Sequence, residues 1–125
     1  MTEPRFLLDS NICIYATKGL YDALLAKLAD QDEGSLAIST VTLAEISRGY
    51  RTADERSVLA AFVAEMRILP FDEPAARQYA QIPFKRGSFD RLIAAHALAL
   101  DLTLVTNNER DFAEIPALRV ENWTR

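Results

Sequence analysis

The chain of 125 residues is poor in the residues that mark several common protein classes. It has a single cysteine, Cys13, so no internal disulfide can form and a reducing interior is the natural setting. Cys13 lies between Ile12 and Ile14, which reads as a packed side chain rather than a reactive thiol. The one histidine, His96, and one cysteine are too few for a zinc site. A Ser–His–Asp triad would have to use His96, and no nucleophile elbow lies near it. His96 falls in an apolar helical stretch and is expected to pack there with one hydrogen bond. No glycine-rich phosphate loop is present, which removes support for ATP or NAD binding. The longest apolar stretch, Leu92 to Val105, is interrupted by His96, Asp101 and Thr103, short of the ~18 residues a membrane span needs. Met1 to Arg5 show no cationic segment followed by an apolar run, so a cytoplasmic protein without a secretory leader is expected. Positive charge is in deficit: 14 Lys and Arg against 18 Asp and Glu, net −4. That balance argues against binding nucleic acid through a broad basic surface. It leaves room for an enzyme whose acidic site holds cations while a few basic side chains steer phosphates.

What remains has the composition of an ordinary folded domain, 50% apolar and 26% charged. The length suits one domain spanning residues 1–125. Short apolar runs alternate with longer helical patterns, which predicts βα units around a parallel sheet. Phe6-Leu7-Leu8, Leu36-Ala37-Ile38, Ile68-Leu69 and Leu102 to Val105 read as strands, with Leu118 to Val120 as a short fifth. Helices are expected over 11–17, 21–29, from Ser39 or Thr40 to about Arg51, 54–67, 72–82 and 90–100. The last of these is apolar nearly all round and should be buried.

Open α/β sheets bind ligands beyond the carboxyl ends of their strands. Asp9 follows the first strand, and Thr106, Asn107, Asn108 and Asp111 follow the fourth. Glu45 lies in the helix after the second strand, about 6–8 Å above its start. Ala44 and Ile46 beside it suggest a helix buried over a wide arc. Asp90 opens the apolar helix before the fourth strand, so it reaches the same edge if that strand is parallel. Each acid alone has a plainer role as cap, turn or surface charge; together they form a pattern. Gathered carboxylates repel, and a fold tolerates them best around a hard divalent cation such as Mg²⁺ or Mn²⁺. Such an ion suits phosphodiester hydrolysis. Thr106 and Asn108 are then candidates to support the acids or position water.

At these residues the chain resembles the PIN-domain family, and within it the VapC-like toxins. The carriers are Leu8-Asp9-Ser10-Asn11-Ile12, STVTLAEISRG over 39–49, DRLIAAHA over 90–97, LVTNNERDF over 104–112 and the closing Val120-Glu121-Asn122-Trp123. The resemblance implies a three-layer α/β/α sandwich with a mainly parallel sheet of four to five strands. It further implies a Mg²⁺- or Mn²⁺-dependent endoribonuclease, with tRNA among the substrates of close relatives. A homodimer neutralised by a small antitoxin protein is implied as well. Matched position by position, the catalytic and metal-binding roles fall on Asp9, Glu45, Asp90 and Asp111, with Glu109 competing for the fourth place. Asn11, Thr106, Asn108, Arg48, Arg86 and Arg91 are the candidates for supporting or RNA-contacting roles. Phe89 departs from the family, standing where many relatives have a polar residue. The stretch before Asp90 is also short.

Two other readings compete. A receiver-type signalling module would bind Mg²⁺ in an acidic pocket, but needs paired acids after the first strand and a lysine after the last; neither is present. An inactive PIN-like binding protein would not need all four acids.

Overall fold

The computed structural model describes residues 3–125; Met1 and Thr2, part of the leader reading above, lie outside the described residues. Five strands form one sheet: β1 (Phe6–Leu8), β2 (Leu36–Ser39), β3 (Arg67–Leu69), β4 (Thr103–Val105) and β5 (Val120–Glu121). The spatial order is β3-β2-β1-β4-β5 and every pairing is parallel. A parallel sheet is covered on both faces, so its strands must be apolar on both sides. The alternation along β1 shows how this works. Phe6 and Leu8 join one core with Leu36, Ile38 and Val105; Leu7 joins the other with Ala37 and Leu104.

The first core is covered by α1 (Ser10–Thr17), α2 (Asp22–Ala29), α3 (Thr40–Ser47) and α4 (Ala53–Ala64), through Ile12, Cys13, Leu24, Ile46 and Leu59. Trp123 closes its rim, its ring edge-on to Phe6 at 4.9 Å. The second core is covered mainly by α6 (Asp90–Leu100), through Ile93, Ala94 and Ala97, and α6 packs on α5 (Glu73–Tyr79). The result is the three-layer sandwich expected from the sequence. A short α7 (Glu109–Phe112) lies between β4 and β5.

Chain direction explains why the site falls where it does. From β1 the chain steps outward to β2 and β3, then crosses back beyond β1 to β4 and β5. Right-handed crossovers put the helices of those two journeys on opposite faces. The reversal leaves a crevice between the carboxyl ends of β1 and β4, the usual ligand position in such sheets. Asp9 and Thr106 stand at those two ends, and β4 pairs with β1 in register Leu8↔Val105.

Local chemistry sets the element ends. Asp9 caps α1, its carboxylate accepting from the Ile12 N–H at 2.9 Å. Thr52 and Glu55 form a reciprocal capping box at the start of α4. Pro74 sits in the first turn of α5, behind the Asp72 cap. α6 stops at Asp101, whose left-handed backbone a short polar side chain tolerates and Arg119 holds at 2.8 Å. α4 and α5 each end three residues before the sequence pattern suggested, at Ala64 and Tyr79. Met66 and Ile82 still pack against the two cores, so apolar spacing continued past the helices.

Two expectations about packing are corrected. Ala44 and Glu45 are exposed, so α3 buries only the stripe through Thr42 and Ile46 and turns the acid outward. His96 is fully buried, but neither ring nitrogen has a hydrogen-bond partner; its ring meets Phe71 edge-on at 5.5 Å instead.

Candidate active site

Asp9 is the buried centre of the constellation. Its carboxylate caps α1 and takes a hydrogen bond from the Thr106 side chain. The Thr106 hydroxyl also accepts the Asn108 N–H at 3.0 Å, so one buried threonine links the ends of β1 and β4. Burial pushes the Asp9 carboxyl up to about 6, against the pull of the Thr106 and Ile12 hydrogen bonds; the charges of Asp90 and Glu45 push the same way. No basic side chain is among the groups that set this value. Asp9 thus carries a negative charge that the protein leaves without a cation.

The other acids arrive from different elements. Glu45, exposed on α3, accepts a hydrogen bond from the Ser10 hydroxyl. Asp90, half-buried at the start of α6, is raised by burial first, then by the charges of Glu45 and Asp111, with Lys85 and Arg91 opposing. Its N–H donates to the Ser88 hydroxyl at 3.1 Å. Asp111 on α7 accepts from the Asn108 amide at 2.6 Å and lies 3.4 Å from the Lys85 ammonium. Electrostatic coupling therefore runs Asp9–Glu45, Asp9–Asp90, Glu45–Asp90 and Asp90–Asp111. These four residues, spread from 9 to 111, are thus linked pairwise by their charges.

Glu109 stands apart. It accepts from Asn122 at 3.1 Å and pairs with Arg125 at 2.6 Å, toward the carboxyl end of the chain. Among the described residues, no three Asp, Glu, His or Cys side chains are grouped so that they could hold a metal ion as they stand. The hydrogen bonds account for this: Glu45 is turned onto Ser10, and Asp111 onto Asn108 and Lys85. The donor set nonetheless suits a hard cation, being carboxylate oxygens beside a buried, uncompensated charge.

The basic candidates divide. Arg48 and Arg86 are exposed, as is Asn11. Arg91 is not available to RNA: it is 1% exposed. Its guanidinium bonds the Glu114 carboxylate at 2.5 Å and the Asp111 carbonyl at 3.3 Å, so it ties α6 to α7. The apolar surroundings of α6 enclose it, and two of its nitrogens have no partner. The RNA-contacting role expected for Arg91 gives way because, one residue after Asp90, it lies on the helix face toward α7. Ser10 was missed as a site residue; the only signal was its place directly after Asp9. Lys85, next to the candidate Arg86, also reaches the site at Asp111, a contact that nothing local in the sequence shows.

The PIN domain family matches residues 6–118. The chain belongs to the PIN domain family. It is 35% identical to the tRNA(fMet)-specific endonuclease VapC of Shigella flexneri, across 96% of this chain and 98% of that protein. A chain in the structure of VapBC2 from Rickettsia felis, bound to a DNA fragment from their promoter, superposes with a TM-score of 0.85 and 32% identity. That match covers 94% of this chain and 98% of the other. A toxin–antitoxin complex from Klebsiella pneumoniae gives a TM-score of 0.73 at 25% identity, over 90% and 93% of the two chains. Among the described residues of this PIN domain, no helix is long and apolar enough to cross a membrane.

Proposed function

We propose that this PIN domain is an endoribonuclease that hydrolyses RNA phosphodiesters with Mg²⁺ or Mn²⁺, tRNA being the substrate class to test first. The observation that carries the reading is the buried Asp9 carboxylate, hydrogen-bonded to Thr106 and Ile12 at the β1/β4 switch point, with the charges of Glu45 and Asp90 acting on it and that of Asp111 on Asp90. The VapC relative, named as a tRNA endonuclease, supports it.

Asp9, Glu45, Asp90 and Asp111 would hold the cation; Asp111 is preferred over Glu109 because it couples to Asp90 while Glu109 is paired elsewhere. A divalent ion there supplies Lewis acidity and lowers the pKa of bound water. The chain's own groups keep the acids in place. Thr106 and Ile12 orient the Asp9 carboxylate, Ser10 holds Glu45, and Asn108 holds Asp111. Lys85, beside Asp111, and the exposed Arg86 and Arg48 are the cations that would meet phosphate oxygens, and Asn11 is an exposed amide two residues after Asp9. In the cell the activity is that of a growth-inhibiting toxin held in check by a cognate antitoxin protein, as the VapBC and toxin–antitoxin complexes suggest.

The test is incubation of the purified chain with total tRNA and Mg²⁺ or Mn²⁺, with mapping of the new RNA ends. Discrete ends from the wild type, absent with Asp9→Asn or with EDTA, are expected. Undiminished cleavage by Asp9→Asn would remove the assignment.

A further inference from the structure

The segment between α5 and α6 carries two aromatic rings that no core claims. Phe84 is 75% exposed and Phe89 53%, the two most exposed large apolar side chains among the described residues. Both adjoin site residues along the chain. Phe84 precedes Lys85, whose ammonium lies 3.4 Å from the Asp111 carboxylate; Phe89 directly precedes Asp90. Between them lie Lys85 and Arg86, and a turn at Gly87, whose backbone takes the left-handed conformation at φ 73°. Exposed phenyl rings interleaved with cations are how a surface grips unpaired nucleotides: the rings stack on bases while the cations meet phosphates. A plain protein-docking patch would instead gain from the absence of charge at its centre.

Resting on the ribonuclease reading, we propose that Phe84 and Phe89 are base-stacking residues. They hold unpaired bases beside the phosphodiester that water attacks at the acidic site, and so set which nucleotides enter it. Stacking is sequence-tolerant but needs the base out of a duplex, so the two rings select for flexible, unpaired positions.

The experiment uses the full chain carrying Asp9→Asn, so that RNA binds without being cut. Binding of a fluorescein-labelled single-stranded RNA oligonucleotide is followed by anisotropy, with and without its complementary strand, and Phe84 and Phe89 are each changed to Leu and to Trp. Leu keeps apolar bulk and lacks a π-face; Trp keeps the π-face. Phe84→Leu and Phe89→Leu should each weaken single-strand binding about tenfold, and both Trp variants should stay within about twofold of the parent. Melting temperatures of all four should match the parent, since neither ring is packed. Leu variants that bind as tightly as the parent would overturn the stacking role and assign the rings to a protein partner; so would Trp variants as weak as Leu. Failure of the parent to bind any RNA, together with absent cleavage by the wild type, would instead remove the ribonuclease reading beneath it.

Discussion

The β1/β4 seam and the α6–α7 rim hold the acids of the proposed site in opposite ways. At the seam, Asp9 is buried, doubly hydrogen-bonded and unable to move without uncapping α1. At the rim, Asp111 is partly open, on a four-residue helix, held by Asn108 and Lys85. The buried acid is preorganised and carries the electrostatic cost. The rim acid is cheaply held and can change partners. Catalytic sites commonly combine a rigid anchor with adjustable groups. Here the fold assigns the first role to strand ends and the second to helix starts and short turns.

Breaking the anchor should have the largest effect. Asp9→Asn is expected to lower RNA cleavage by on the order of a thousandfold or more in a single-turnover assay, because the central carboxylate is lost. The strut behind the rim comes next. Arg91→Ala should cost about 2–3 kcal/mol in urea unfolding, through the cavity left by a buried side chain. Arg91→Met should cost under about 1 kcal/mol, since it fills the space and Glu114, its partner, is 65% exposed and simply rehydrates. Equal losses from both would show that charge, not volume, matters at this position.

The pH dependence of stability isolates the anchor's electrostatic cost. Burial pushes the Asp9 carboxyl from its ordinary 3.8 up to about 6, so the folded state binds more protons between these values. Stability is therefore fully present below pH 3.8 and is lost as pH rises through about 6. The loss should be about 3 kcal/mol, and Asp9→Asn should abolish that slope and be more stable at neutral pH by a similar amount. His96 acts with the opposite sign. Burial lowers its pKa, so its contribution is lost as pH falls below its ordinary value near 6.5. His96→Leu, which removes two unpartnered nitrogens, isolates that part. The smallest effect is expected at the rim: Asp111→Asn should change stability by under about 0.5 kcal/mol and cleavage by about tenfold.

The comparison also explains what could be read before the structure. Asp9 and Thr106 were legible because strand ends in a parallel sheet are where ligands bind, and β1 and β4 are short, unmistakable apolar runs. Asp90 followed from topology once β4 was parallel. Contacts across space were not legible. Ser10 and Glu45 are 35 residues apart, and nothing local predicts their hydrogen bond. Arg91 reads in the sequence as a candidate RNA contact because sequence shows charge, not the direction a helix face points. The missing partners of His96 were equally hidden, since apolar neighbours reveal burial but not whether a polar atom waits within reach.

The most direct measurement is the thermal shift produced by Mn²⁺ at neutral pH in the wild type and in Asp9→Asn. Binding to the native state alone raises the melting temperature. Millimolar Mn²⁺ should stabilise the wild type by several degrees, with little shift in Asp9→Asn and a smaller one for the wild type at pH 5, where Asp9 is largely protonated. No shift in the wild type, or the same shift in both proteins, would contradict a cation site built on Asp9.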